Sequence, residues 1–239
     1  MSVEKMDQVR LRLANWLLKG LRRKAAGDDP YHRTFAQFRQ MVLDSTNPAV
    51  LEIGSRNVSG HNGRERFPGV TDYTGVDIHP GEYVDVVSDA HQLGKAFPEK
   101  RFDFVYSISV FEHLMFPWKA AMEINEILKP GGHVFVATHP AWITHELPWD
   151  FWRFLHHSAH CMFNPVTGFE VVTVSEGLPA RMFSLVRDAA TRPMHLFEMH
   201  QGIAIIARKV GDYDRTRLRW DLVPADVTDS IYPRAAVDS

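Results

Sequence analysis

The sequence predicts an α/β fold built on a mostly parallel sheet with helices on both faces. Three observations carry that reading. From residue 48 onward, short apolar runs of strand length alternate with helical patterns, which implies crossover connections between parallel strands. The run "AVLEIGSRNVSG" (Ala49 to Gly60) passes from buried-strand residues through an acid to a glycine, as a strand does when it enters a ligand-binding turn. The turn "LKPGG" (Leu128 to Gly132) stops a helical pattern and leads into another strand.

Residues 1–47 form an N-terminal helical extension. Met6, Val9, Leu13, Trp16, Leu17 and Leu21 recur at helical spacing over residues 3–24, among Lys5, Arg10, Arg12, Lys19, Arg22, Arg23 and Lys24. "AGDDP" stops this helix, and a second covers 31–44 with Phe35, Phe38, Met41 and Val42 inward. The main domain spans 48–210. Its strands are read at 49–53, 72–78, 83–87, 102–109 and 133–139, each rich in β-branched or aromatic residues. "WKAAMEINEIL" (118–128) is a helix. Residues 139–167 lose the regularity, are crowded with Trp, His and Phe, and read as a lid insertion. "GFEVVTVS" (168–175) and "QGIAIIARKV" (201–210) are two closing strands, and 211–239 is a polar tail.

Composition narrows the function. The chain has 239 residues, a formal net charge of -2 and 45% hydrophobic residues. No overall basic field draws it to nucleic acid. Its single cysteine, Cys161, excludes an intrachain disulfide and fits a reducing compartment. With neither a membrane-length apolar run nor a secretory signal pattern, a cytoplasmic location is expected.

Four segments carry candidate chemistry at the carboxyl ends of strands, where open parallel sheets bind ligands. Gly54 leaves the first strand where backbone can approach a ligand, followed by Ser55 and Arg56. Asp77, at the end of the second strand, can accept both hydroxyls of a ribose or simply start the turn His79-Pro80-Gly81. Asp89 can accept from an exocyclic amine or cap a short helix, with the Ala90 backbone beside it. Ser107, Ile108 and Ser109 end the fourth strand. They precede Glu112 and His113, the latter a proton acceptor or a structural histidine.

Together, "VLEIGSRNVSG", "YTGVDIHPG", "DAHQL", "FDFVYSISVFEHL" and "EINEILKPGGHVFVATHP", followed by "WDFWRF" and "GFEVV", resemble the class I S-adenosylmethionine-dependent methyltransferases of the methyltransferase-11 type. The resemblance covers about residues 48–175 and extends toward 210. It implies a Rossmann-like, seven-stranded sheet whose last strand is antiparallel, and S-adenosyl-L-methionine as cofactor. It also implies roles. Glu52 and Gly54 match the motif at the cofactor's methionine end. Asp77 matches the ribose-binding acid and Ile78 its adenine-packing neighbour. Asp89 and Ala90 match the adenine contact, and Ser107, Ile108 and Ser109 the segment near the sulfonium. Ser55 and Arg56 become partners for the cofactor's carboxylate, since this cofactor has no pyrophosphate for further glycines to cradle. His139, directly after the fifth strand, and His113 are the candidate bases.

Ser109 stands where some quinone-pathway relatives carry a metal-holding acid. His156, His157, His160 and Cys161 lack the H-E-x-x-H or paired-cysteine spacing of a zinc site, and His156 and His160 are read as one face of a surface helix. No metal is therefore expected. Asp150 and Arg153 are expected to fix the lid. The expected partner is a small-molecule acceptor. The basic N-terminal helix packs on the core, pairs two copies as a homodimer, or touches an anionic membrane. A non-catalytic scaffold and a nicotinamide-dependent oxidoreductase are the competing functions. Arg56 and Ser59, in place of fingerprint glycines, argue against the oxidoreductase.

Overall fold

The computed structural model describes residues 3–21, 28–58, 60, 62–98, 102–186 and 188–218. Ser59, Arg22 to Lys24 and the tail beyond 218 lie outside the described residues.

The strands are β1 (Ala49–Ile53), β2 (Asp72–Asp77), β3 (Val86–Val87), β4 (Phe102–Ile108), β5 (Leu128–Thr138), β6 (Phe169–Ala180) and β7 (Met199–Lys209). They form one sheet in the order β3-β2-β1-β4-β5-β7-β6. All pairs from β3 to β5 are parallel, while β7 runs antiparallel to both β5 and β6. This is the seven-stranded Rossmann-like sheet that the resemblance implies.

Alternation along the strands divides the core in two. Leu51, Ile53, Val105, Val136 and Ile205 face the side covered by α4 (Pro117–Ile127), where Ala120, Ala121, Ile124 and Ile127 are buried. Val50, Phe104, Tyr106, Phe135 and Ile206 face Phe38 and Val42 of α2 (Pro30–Leu43). Each large apolar side chain so buried contributes about 1.5–3 kcal/mol. Asp29 caps α2 by accepting from Tyr31 N, and Pro30 sits in the first turn, where its missing N–H costs nothing. Asp29 also accepts from Leu178 N at 3.0 Å, which ties the helix start to β6.

Several elements differ from their predicted extents. The strand read at 83–87 shrinks to β3, because Tyr83 takes a left-handed φ of 68° and Asp85 bonds to Gly75 through both its amide and its side chain. β5 starts at Leu128, opposite Phe102, and its pairing is interrupted before Phe104 meets His133. The intervening turn puts Gly131 at φ 79°. β6 and β7 run past their predicted ends to Ala180 and Met199 as a long antiparallel ladder.

Helix α1 (Val3–Leu17), continued by a 3₁₀ turn to Leu21, presents apolar side chains to solvent. Val9, Leu13 and Leu17 are exposed, and Trp16 is 68% exposed. Segment 139–167 holds only α5 (Ser158–Met162) and a 3₁₀ turn at Pro165–Thr167. It still buries Trp149, Phe154, Ala159, Met162 and Phe163. His156 precedes α5, so it shares no helix face with His160.

Candidate active site

The order of the sheet reverses at β1, with β2 on one side and β4 on the other, and the carboxyl ends of β1, β2, β4 and β5 lie along one edge. Gly54 ends β1 with φ 85°, and a Cβ on it would lie 2.3 Å from Val110 Cγ2. Glycine is thus required twice, by conformation and by the approach of the β4 loop. Ser55 is buried, packs over Gly75, and its hydroxyl has no hydrogen-bond partner among the described residues. Arg56, expected at a cofactor carboxylate, is turned to Asp77 instead. Its Nε lies 3.4 Å from Oδ1 and its backbone N–H donates to Oδ2 at 3.3 Å. Its stem packs against Gly81. His79 N adds a third donor to Asp77 at 2.9 Å, and Ile78 is half-buried beside it.

Glu52, expected at the cofactor's methionine end, lies instead in the aromatic core under α2. It accepts from the Tyr73 hydroxyl, which meets the Tyr106 hydroxyl at 2.5 Å. Burial pushes the Glu52 carboxyl above the ordinary range, against the pull of the two tyrosine hydrogen bonds. Strand alternation explains the placement: Glu52 follows Leu51 and shares the face of Val50.

Asp89 is the N-cap of a 3₁₀ turn (Ala90–Gln92) and accepts from both His91 N and His91 Nδ1 through Oδ1. His91 Nε2 accepts from Phe116 N at 3.2 Å. The ring therefore carries its proton on Nδ1 and links this loop to the start of α4. Burial alone would raise the Asp89 carboxyl, but the His91 hydrogen bonds outweigh it and hold the group below its ordinary value. Ala90 is buried.

On β4, Ser107 is buried and donates to Ile53 O at 3.3 Å, so it braces β1. Ile108 is half-buried. Ser109 is exposed at a left-handed φ of 55°, a conformation that costs a non-glycine residue of order 1–3 kcal/mol. Its Oγ lies 3.3 Å from His139 Nε2. His139 Nδ1 donates to Gln201 O at 3.1 Å, since a carbonyl can only accept. Its Nε2 thus lies 3.3 Å from both Ser109 Oγ and Glu112 Oε1. The imidazole stacks on Trp142 at 4.8 Å.

His113 is more deeply set than His139, its side chain 5% exposed against 15%. Its Nδ1 donates to Trp149 O, and its Nε2 lies 3.6 Å from Glu146 Oε2. It therefore has the surroundings of a structural histidine rather than of an exposed base.

Segment 139–167, expected to be a lid, is tied down from both sides. Phe151 N and Trp152 N both donate to Glu112 O, and Phe154 N donates to His139 O. Arg153 grips the Asp150 carboxylate with two parallel hydrogen bonds at 2.6 and 2.8 Å, and His145 N adds a third at 2.9 Å. The Arg153 hydrogen bonds hold the Asp150 carboxyl well below the usual carboxylate range. Sequence reasoning missed Glu112, His145 and Gln201 as parts of this corner. Glu112 is adjacent to His113 in sequence, but only the folded lid brings His145 to it.

A methyltransferase-domain family model matches residues 20–172. The chain belongs to that family, the class I S-adenosylmethionine-dependent methyltransferases, for which S-adenosylmethionine is the cofactor. Among solved structures it is similar to an S-adenosylmethionine-dependent methyltransferase from Archaeoglobus fulgidus, with 20% identity, a TM-score of 0.51, and coverage of 74% of this chain and 93% of that one. It is also similar to a putative methyltransferase from Bacillus halodurans, with 13% identity, a TM-score of 0.54, and coverage of 73% and 97%. No curated protein matches the sequence. Among the described residues, no helix is long and apolar enough to cross a membrane.

Proposed function

We propose that the protein transfers the methyl group of S-adenosylmethionine to an oxygen or nitrogen of a small molecule held between the β4–β5 edge and the lid. One observation carries the reading: Ser109 and His139, just beyond the adjacent strands β4 and β5, place an exposed hydroxyl and an imidazole nitrogen 3.3 Å apart at the carboxyl edge of the sheet. The residues fit the cofactor. A left-handed Gly54 and a buried Ser55 hydroxyl with no hydrogen-bond partner among the described residues follow β1, and a carboxylate ends β2. Asp77 would hold the ribose and Ile78 the adenine face. Asp89 and Ala90 would meet the adenine edge, and the turn from Gly54 to Arg56 with Ser107 to Ser109 would border the methionine end.

When bound, the cofactor supplies a methyl carbon already activated by its sulfonium. The chain's own work is positioning, water exclusion and proton handling. His139 Nε2 takes the proton of a hydroxyl acceptor. Gln201 O holds Nδ1–H and so fixes the tautomer that leaves Nε2 basic. Ser109 orients the incoming group. Trp142, Trp149, Phe151 and Trp152 shield the reacting atoms from water.

Calorimetry with S-adenosylhomocysteine tests the cofactor site. Binding is expected, and Asp77→Ala should abolish it. Tight binding indifferent to Asp77→Ala would displace the site, and no binding would overturn the reading. Transfer of a labelled methyl group to a panel of hydroxylated and amine acceptors tests the chemistry.

A further inference from the structure

We propose that Glu112, His113 and His145 form a site for a divalent transition-metal ion of the imidazole-preferring kind, such as Zn²⁺ or Co²⁺, next to His139. Each residue offers one ligand atom, and these atoms lie within 4.8 Å of one another.

The carboxylate points independently to a ligand. Glu112 is fully buried. Its Oε2 accepts from Thr138 Oγ1 at 2.7 Å, while its Oε1 accepts no hydrogen bond among the described residues and has His139 Nε2 3.3 Å away. A buried carboxylate oxygen left this way is costly, and a cation is what relieves it. His113 Nε2 lies 4.0 Å from that oxygen.

Both imidazoles are prepared for a metal in the same way. His113 donates Nδ1–H to the carbonyl of Trp149, and His145 donates Nδ1–H to the carbonyl of Ile143 at 3.1 Å. A carbonyl can only accept, so Nδ1 of each ring carries a proton, and in the neutral ring Nε2 is the nitrogen left to meet a cation. This backbone anchoring of the second nitrogen is the usual support of a metal-bound histidine. Two imidazoles and one carboxylate suit Zn²⁺, Co²⁺ or Fe²⁺ better than Mg²⁺ or Ca²⁺, which prefer all-oxygen sets. Glu146 Oε2, 3.6 Å from His113 Nε2, supplies a second negative charge at the rim. An ion at about 2.0–2.2 Å from each donor draws the lid histidine toward the β4 loop.

The sequence gives no metal signature because Glu112 and His113 are adjacent while His145 sits beyond a whole helix and strand. The assignment does not rest on the methyl-transfer reading, and its test uses no methyl donor. The full-length protein, stripped of metal, is titrated with Co²⁺ while its visible d–d absorption is followed, then with Zn²⁺ by calorimetry. One ion per chain is expected, weakened at least tenfold by His145→Ala and by Glu112→Gln. His160→Ala should change nothing. Circular dichroism reports whether each variant is folded, and His145→Ala decides if Glu112→Gln is not. Failure of the parent protein to bind either ion, or unchanged binding in His145→Ala, would overturn the assignment. S-adenosylhomocysteine calorimetry stands or falls separately.

Discussion

Arg56 Nε lies 3.4 Å from Asp77 Oδ1, and neither side chain is more than slightly exposed. The cation of the first loop is therefore spent on the acid of the second. On the proposed reading, ribose hydroxyls would reach Asp77 only in competition with a guanidinium, while His79 N and Arg56 N hold the carboxylate in place. Asp77→Asn should weaken S-adenosylhomocysteine binding at least tenfold, the loss of about 1.4 kcal/mol or more expected when a charged acceptor is removed. Arg56→Ala should leave binding within about threefold of the parent, or tighten it. Equal losses in the two variants would show that Arg56 touches the cofactor after all.

His139→Gln should lower kcat for an oxygen acceptor by about 10²–10⁴-fold, the range of one general base, with cofactor affinity unchanged. His113→Gln should instead lower thermal stability, because His113 braces Trp149 O. A kcat loss confined to His113→Gln would reverse the two roles.

Gly54→Ala should destabilise the fold by about 1–3 kcal/mol, from strain at a left-handed residue and overlap with Val110. Gly54→Ala with Val110→Ala should recover the overlap part only. Chemical denaturation of the single and double variants separates the two contributions.

Burial raises the Glu52 carboxyl pKa, so the folded state favours its protonated form more than the unfolded chain does. The sign follows by linkage. Its contribution is most favourable below the unfolded value of about 4.3 and is lost as pH rises through the folded value. Glu52→Gln should therefore gain thermal stability relative to the parent at neutral pH, with the gap closing as pH falls. A gap that widens toward acid would contradict the burial argument.

Asp150→Asn should loosen the lid, costing about 1–3 kcal/mol because Arg153 keeps its charge but loses its bidentate partner. Hydrogen exchange should report it first at the amides of Phe151, Trp152 and Phe154, which donate to Glu112 O and His139 O.

Much of this was legible in the residues. β1 occupies 49–53 as read, because a five-residue buried run between Pro48 and Gly54 has little freedom to be anything else. The β4 and β7 runs are equally plain, and the meeting of Asp77, Ser109 and His139 at one edge follows from parallel strands sharing a direction. What stayed hidden depends on long-range contacts. Glu52 reads as part of a loop motif, yet strand alternation sends it to Tyr73. The apolar stripe of α1 predicts an amphipathic helix but not what covers it, and Trp16 is left uncovered. The Glu112–His145 approach requires the lid's path, which Asp150 and Arg153 set by tertiary hydrogen bonds that no local pattern announces.

The lid hangs from the carbonyl of Glu112 through two amides, while the same residue's carboxylate forms the floor of the corner beneath it. One residue thus serves as peg and as pressure plate. Any displacement of residues 151–152 would break both bonds to Glu112 O and so loosen the residue that carries the buried carboxylate. A substitution that disturbs the backbone at 151–152 should therefore register at Glu112, and the reverse.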